Sequence, residues 1–236
     1  MTSTRLPRNE TRPDFYPTPS NVTASIVPAI IADMPAVGRT PDVLDPCAGE
    51  GAILAALARS PVALRATFRG IELDGPRVNE CRASFTCAHA DALHIATDWG
   101  RPDVVVMNPP YSSALPFVQR AIAETAAHGG SVFALLRLAF LESAGRVDFH
   151  RANPSDVFVL ARRPSFVCSV RCSRARATPK HGPASCTWSA MIPLDDPRPK
   201  ACPVCLALTV FATSDSSAYA WFAWGPRFGG RWSVLP

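Results

Sequence analysis

Apolar residues in the first 160 positions alternate between short continuous runs and longer stretches with helical spacing. The runs predict strands at residues 42–45, 66–73, 85–89, 103–107, 131–136 and 156–160. The helical stretches predict helices at residues 21–34, 50–59, 76–83 and 114–128. Strands and helices that alternate in this way are typical of a doubly wound α/β sheet, with the fully apolar run 103–107 near its centre.

This pattern breaks after Leu160. The following residues are rich in arginine, proline, serine and cysteine, and strand-like sequence returns only at residues 206–211 and 218–224. We therefore interpret residues 163–216 as an insertion between the last two strands of the sheet. The chain then divides into a core at residues 1–162, the insertion at residues 163–216, and a final core strand with a tail at residues 217–236.

Composition excludes several classes of protein. The chain has 236 residues, and the 47% that are hydrophobic suffice to bury a core, which argues against a disordered chain. The longest apolar stretch, residues 132–141, is interrupted by Arg137 and is too short to span a bilayer. The amino terminus lacks the apolar core of a secretion signal. These features predict a soluble, cytoplasmic protein that does not act in a membrane.

The net charge of +5 is concentrated in the insertion. Residues 162–200 carry eight basic and two acidic side chains, so the rest of the chain is nearly neutral. A basic patch of this kind indicates polyanion binding, with nucleic acid as the leading candidate and a solvated loop as the alternative. Arg171, Arg174 and Arg176 are the candidate phosphate contacts.

The eight cysteines divide in the same way. Those in the first half, Cys47, Cys81 and Cys87, are interpreted as small core residues. Five others crowd into the insertion, where the absence of a secretion signal favours metal binding over disulfides. A structural zinc ion could be held by four of them, Cys168, Cys172, Cys202 and Cys205, and free or partly buried thiols are the alternative.

A glycine-containing turn follows the first predicted strand. Residues 45–51, Asp-Pro-Cys-Ala-Gly-Glu-Gly, end that strand and open a helix, and the two glycines allow a ligand to approach the backbone closely. Glu72 closes the next strand at the spacing where an acidic residue binds ribose hydroxyls, and Asp91 follows the third strand. Together with Asp45, these acids favour an adenosine-containing ligand and disfavour a pyrophosphate.

A second motif, Asn108-Pro109-Pro110-Tyr111, directly follows the central strand. The prolines stiffen the turn, so that the Asn108 amide oxygen and the Pro109 carbonyl could both accept hydrogen bonds from one planar amino group. Such bonds would direct the nitrogen lone pair toward an electrophile. The ring of Tyr111 could stack on a flat base.

These motifs resemble those of the class I S-adenosylmethionine-dependent N6-adenine methyltransferases. Residues 45–51 look like the cofactor loop of that family and residues 108–111 like its catalytic motif. The segment Phe-Tyr-Pro-Thr-Pro at residues 15–19 is similar to the one that precedes the cofactor loop. This motif order resembles phage-type and restriction-modification DNA methyltransferases. The implied fold is a Rossmann-like sheet of seven strands, mostly parallel with the last antiparallel, and here it would carry the basic, Cys-rich insertion.

The resemblance implies a role for each matching residue. The cofactor would contact Tyr16, Pro17 and Thr18 at its methionine end, the loop residues Asp45, Cys47, Gly49 and Gly51, Glu72 at the ribose and Asp91 at the adenine. The catalytic residues would be Asn108, Pro109, Pro110 and Tyr111. Phe166 would stack with Tyr111 on the target base, although a plain core role fits this phenylalanine as well.

The resemblance also implies a reaction. A target adenine is flipped out of duplex DNA, and its N6 attacks the methyl group directly without a covalent enzyme intermediate. Adenine in RNA is an alternative target. A protein glutamine is another, because the same tetrapeptide occurs in enzymes that methylate its planar amide. An inactive methyltransferase fold that binds DNA is a further alternative, against which the intact Asp45, Glu72, Asp91 and Asn108 argue.

Overall fold

The computed structural model describes residues 17–34, 40–164 and 217–236, and the backbone of three further strands at residues 167–172, 189–193 and 209–213. The helices within these residues are α1 (Ser20–Asp33), α2 (Ala52–Ala58), α3 (Gly75–Arg82), α4 (Ala114–Ala126) and α5 (Val147–Ala152). The strands are β1 (Asp42–Asp45), β2 (Thr67–Glu72), β3 (Thr86–His89), β4 (Val104–Met107), β5 (Ser131–Arg137), β6 (Asp156–Leu160), β7 (Val167–Cys172), β8 (Ser189–Pro193), β9 (Thr209–Thr213), β10 (Tyr219–Trp224) and β11 (Trp232–Leu235). Each strand and helix that the pattern predicts before residue 161 is present.

Eight of the described strands form one sheet, in the order β11-β6-β10-β5-β4-β1-β2-β3. All its pairs are parallel except the two that β10 makes with β5 and β6. The strand order reverses between β1 and β4, because the chain continues from β1 to β2 on one side and from β4 to β5 on the other. Open α/β sheets bind ligands outside the carboxyl ends of strands at such a reversal.

Both faces of this sheet are covered. Along β4, Val104 and Val106 belong to the core that α1 and α2 complete, and Val105 and Met107 to the core that α4 completes. This double burial explains why the strand is continuously apolar. The doubly wound, mostly parallel α/β sheet that the sequence predicts is confirmed.

The tail adds an eighth strand to the seven that were expected. β10 is the predicted antiparallel strand, and β11 then pairs in parallel with β6 at the sheet edge. One carboxylate oxygen of Asp156 accepts hydrogen bonds from the backbone N–H groups of Gly229, Gly230 and Arg231 at 2.9, 3.1 and 2.9 Å. The Arg231 guanidinium lies 2.8 Å from the other oxygen. The buried carboxylate of Asp156 therefore fixes the tail. The apolar pattern of the tail alone does not predict the strand β11.

Residues of the predicted insertion form a separate antiparallel sheet in the order β8-β7-β9. The strand predicted at residues 206–211 corresponds to β9, whereas β7 and β8 were not predicted. The division of the chain into three parts stays a prediction. Among the described helices, none has the length and apolar character needed to cross a membrane.

Candidate functional site

A cavity of about 510 Å³ opens at the carboxyl ends of β1, β2 and β4. This volume is in the range of small-molecule and cofactor sites. Its lining includes eight residues that the sequence singled out, Pro17, Thr18, Asp45, Cys47, Glu72, Asp91, Asn108 and Pro110. The strand reversal therefore brings the predicted cofactor loop and the predicted catalytic motif to one cavity.

The cofactor loop is shaped by its glycines and clamped by Glu72. Gly51 has φ of +88°, a left-handed conformation that a side chain would strain. The backbone N–H of Gly49 donates to Glu72 Oε2 at 2.7 Å, and the N–H of Asp74 donates to Glu72 Oε1 at 2.9 Å. The carboxylate thus ties the loop to the end of β2, in addition to facing the cavity.

Gly70 in β2 is a loop-supporting residue that the sequence analysis missed. A Cβ atom on Gly70 would lie 2.6 Å from the Cβ of Ala48 in the cofactor loop, closer than real carbon atoms approach. The absence of a side chain here lets the loop pack down on the strand. A glycine in the interior of a strand is the signal that could have identified it.

Asp45 is a carboxyl group with almost no contact with water, since only 1% of its surface is exposed. Burial raises its pKa to about 7, and the nearby Glu72 charge adds to this effect. The hydrogen bond that Asp45 Oδ1 accepts from the backbone N–H of Cys47, at 3.1 Å, opposes the rise. Burial, followed by the Asp45 charge, also raises the pKa of the Cys47 thiol well above its usual value. A site of this kind favours a cationic ligand over an anionic one.

Asp91 also lines the cavity, and it lies on an exposed turn after β3. Its Oδ1 accepts a hydrogen bond from the backbone N–H of Leu93 at 2.8 Å. The carbonyl of Ala92 in this turn accepts from Trp99 Nε1 at 3.0 Å and from the Arg120 guanidinium at 2.7 Å. Trp99 and Arg120 therefore hold the turn in place, although no local sequence signal links them to Asp91.

The catalytic motif forms a hydrogen-bonded chain with the amino-terminal segment. Asn108 Nδ2 donates to the hydroxyl of Thr18 at 3.0 Å, and the Tyr111 hydroxyl donates to Asn108 Oδ1 at 3.2 Å. Pro109 is buried, and Pro110 borders the cavity. The Asn108 amide is thus held at both ends.

Two residues that the sequence did not indicate surround the ring of Tyr111. The Arg137 guanidinium lies 4.7 Å from the ring centroid, and the Tyr219 ring is 5.7 Å away at an angle of 50°. Arg137 Nε also donates to the Tyr219 hydroxyl at 3.3 Å, across the register of β5 and β10. The only sequence signal was the single charge that interrupts an apolar run.

The remaining predicted residues fall into two groups. Those that lie next to the cavity without lining it are Gly49, Gly51, Pro109 and Tyr111. Those outside the described residues, or in strands described by their backbone alone, are Tyr16, Phe166, Cys168, Arg171, Cys172, Arg174, Arg176, Cys202 and Cys205. The zinc and phosphate contacts therefore stay predictions. Within the residues that the structure describes, no group of three His, Cys, Asp or Glu side chains could hold a metal ion.

Solved structures share the fold at low sequence identity. A protein from Listeria monocytogenes, assigned as a class I S-adenosylmethionine-dependent methyltransferase, aligns with a TM-score of 0.57 and 13% identity over 98% of this chain and 68% of that one. An assigned RNA methyltransferase from Pyrococcus horikoshii aligns with a TM-score of 0.53 and 13% identity over 95% and 93%. A methyltransferase subunit of a type I restriction-modification system from Streptococcus thermophilus gives 0.57 and 14% over 90% of this chain and 45% of that one. These similarities show the fold. No protein of curated function matches the sequence.

A family model gives a more specific result. The model described as DNA N-6-adenine-methyltransferase (Dam) matches residues 62–181, about half of the chain. The matched region contains Glu72, Asp91 and the Asn-Pro-Pro-Tyr motif, and it extends into the predicted insertion. With the fold and the cavity, this match makes the protein an S-adenosylmethionine-dependent methyltransferase. The chain belongs to the DNA N-6-adenine-methyltransferase (Dam) family.

Proposed function

We propose that this methyltransferase transfers a methyl group to the N6 amino group of adenine in DNA. The proposal rests on one observation, which is that the cofactor loop and the Asn-Pro-Pro-Tyr motif border the same cavity. A methyl donor and a planar amino group could therefore meet there. The family match supports adenine in DNA as the target.

The residues of the cavity fit the cofactor. S-adenosylmethionine, when bound, supplies a methyl group attached to a positively charged sulfur. Glu72 would bind the ribose hydroxyls while it continues to hold the loop, because each carboxylate oxygen can accept more than one hydrogen bond. Asp91 would accept from the adenine amino group, and Pro17 and Thr18 would border the methionine end. The buried carboxyl of Asp45 would favour positive charge nearby.

The catalytic motif would bind the target amino group. An amide oxygen can accept two hydrogen bonds, so Asn108 Oδ1, which accepts from the Tyr111 hydroxyl, would also accept from the target N6. The Pro109 carbonyl would be the other acceptor, and both would stabilise the positive charge that develops on the nitrogen. Tyr111 would stack on the flipped base, which returns about 1–3 kcal/mol of the few kcal/mol that flipping costs.

The insertion would bind the nucleic acid. Its arginines, Arg171, Arg174 and Arg176, would contact phosphates, and Phe166 would close over the other face of the base. A zinc ion on Cys168, Cys172, Cys202 and Cys205 would stabilise a segment poor in apolar residues. Zinc analysis of the purified protein tests this part, and a zinc content well below one per chain would count against it.

The replacement Asn108→Ala tests the catalytic assignment. We expect transfer of labelled methyl groups to duplex DNA to fall by at least about a hundredfold, because the residue acts on charge that develops in the transition state. Cofactor binding, measured by titration, should change little. Asn21→Ala, an exposed asparagine in α1, is the matched control and should keep full activity.

The same assay with duplex DNA, RNA and protein substrates tests the target. Methyl transfer to adenine in DNA that requires Asn108 supports the proposal. Transfer to RNA or to protein glutamine alone would contradict the DNA assignment, and full activity of Asn108→Ala would contradict the role of the motif.

A further inference from the structure

Thr18 connects the amino-terminal segment to the catalytic motif. It lies just before α1, with 6% of its surface exposed, and its hydroxyl accepts the hydrogen bond from Asn108 Nδ2 at 3.0 Å. The resemblance assigns the segment around Thr18 to the methionine end of the cofactor. The contact with Asn108 is a separate observation, made between residues 90 positions apart.

We infer that Thr18 is a positioning residue for the Asn108 amide, and this inference rests on the proposed function. A primary amide carries an acceptor oxygen and a donor nitrogen at neighbouring corners of one plane. The target N6 group brings donors, so the oxygen must face it. By accepting from Nδ2, Thr18 holds the nitrogen edge away from the base and leaves Oδ1 on the side of Tyr111.

The support behind Thr18 is rigid. The carbonyl of Val22, one turn into α1, accepts from Trp221 Nε1 in β10 at 3.1 Å. Ile26 and Ile30 of the same helix are fully buried in the core. Because Thr18 lies two residues before this packed helix, its hydroxyl can hold the amide in one orientation during the reaction.

A role in cofactor binding alone would give a different result. Thr18 also borders the cavity, so its loss could weaken the cofactor without changing the chemical step. A positioning role predicts a lower rate constant at saturating cofactor, and a cofactor role predicts an unchanged rate constant with a higher cofactor Kd. The split between the rate constant and Kd therefore decides between the two roles.

The experiment measures single-turnover methylation of a duplex oligonucleotide at saturating cofactor. We expect Thr18→Val to lower the rate constant about five- to tenfold, the usual range for one lost hydrogen bond. Thr18→Ser should keep the wild-type rate within about twofold, and Thr18→Ala should match the valine variant. The serine and alanine variants differ by one hydroxyl, so their comparison decides the question if the valine variant folds poorly.

Thr23→Val is the matched control. It makes the same chemical change five residues further on, at a buried threonine of α1, and among the described residues its hydroxyl has no hydrogen-bond partner. Its rate constant should equal that of the wild type. Full rate constants for Thr18→Val and Thr18→Ala, or a loss confined to cofactor Kd, would overturn the inference. A wild-type protein that does not methylate adenine would overturn the proposed function and this inference together.

Discussion

At the scale of single residues, the site depends on polar groups that the fold shields from water. Asp45 is the clearest case, because burial holds its pKa near 7 although it borders a cavity. In the cofactor-free protein at neutral pH, a large fraction of the Asp45 carboxyl groups is therefore protonated. A positive charge brought close to it would favour the carboxylate and release the proton.

This coupling predicts pH-dependent cofactor binding. Between pH 6 and pH 8 the affinity for S-adenosylmethionine should rise by about tenfold, as the proton on Asp45 no longer has to be displaced. Titration calorimetry at pH 6, 7 and 8 measures the change and the proton release. Asp45→Asn should abolish the dependence, whereas Asp98→Asn, outside the cavity, should keep it. An affinity that does not vary with pH in the wild type would contradict the prediction.

The raised pKa of Asp45 also makes the free energy of unfolding depend on pH. Stability falls as pH rises, whereas cofactor affinity is expected to rise. The folded pKa of Asp45 is raised above the unfolded value of 3.8. The stability that its protonated form contributes is therefore fully present below about pH 4 and is lost as pH rises through about 7. The contribution of Asp45 to the free energy of unfolding is thus smallest in the pH range where the cofactor is expected to bind best.

Sequence reasoning located these residues because of where they fall, at the ends of neighbouring strands. Asp45, Glu72 and Asn108 follow strands that a parallel sheet aligns, so their convergence could be predicted. The hydrogen bond between Asn108 and Thr18 could not be predicted, because it depends on how α1 packs. Nor could the clamping of the cofactor loop by Glu72, which depends on the exact path of the turn.

At the scale of elements, the strands that were predicted are those with an apolar pattern of their own. β4 is buried on both faces and is apolar throughout, which identifies it without any tertiary information. β11 is the contrasting case, since Trp232 is 77% exposed and the strand is fixed by its partner β6 and by Asp156. The contacts that fix β11 come from residues distant in the sequence, so its local apolar pattern does not predict it.

The carboxylate of Asp156 should therefore determine the stability of the tail. Burial would raise its pKa, but hydrogen bonds from Gly229 and Arg231 and the Arg231 charge outweigh this and lower it. We expect Asp156→Asn to reduce the free energy of unfolding by about 2–3 kcal/mol, because charge-assisted bonds are lost. Urea unfolding followed by tryptophan fluorescence measures this difference.

The effect should depend on pH in a defined direction. Because the folded pKa of Asp156 is lowered, its stabilisation is present above the unfolded pKa of 3.8 and is lost as pH falls through the folded value. The gap between wild type and Asp156→Asn should therefore close at low pH. Asp148→Asn removes a solvent-exposed ion pair with Arg151 and should change the free energy of unfolding much less than Asp156→Asn does. Equal effects of the two replacements would contradict the role of Asp156.

At the scale of the whole molecule, the cavity and the surplus of basic residues belong to different parts of the chain. The residues that line the cavity all precede residue 118, and the basic surplus lies in residues 162–200, the predicted insertion. A cavity suited to one small cofactor needs no excess positive charge, whereas DNA binding gains from counterion release. The position of the surplus along the chain could be read from the sequence, but the β7-β8-β9 sheet that carries part of it could not.

This separation predicts where the salt dependence of DNA binding originates. Replacing Arg171, Arg174 and Arg176 by glutamine should reduce the slope of log Kd against log salt concentration by up to about 2.7, since each phosphate contact contributes about 0.9. Fluorescence anisotropy from 50 to about 300 mM salt measures the slope. Arg59→Gln combined with Arg101→Gln is the control. Arg59 follows α2 and Arg101 precedes β4, so both lie near the amino ends of the strands, away from the cavity at their carboxyl ends. An unchanged slope in the triple variant would exclude the three arginines as phosphate contacts.

The chain leaves the large sheet after Leu160 and returns at Tyr219, and these two residues end and begin strands that are antiparallel neighbours. In topological terms, everything between them is the turn of one long β-hairpin, opening at the same edge as Asn108. A hairpin turn can change in length and sequence without altering the strands that carry it. This segment can therefore be replaced as a unit while the strands of the large sheet keep their pairing.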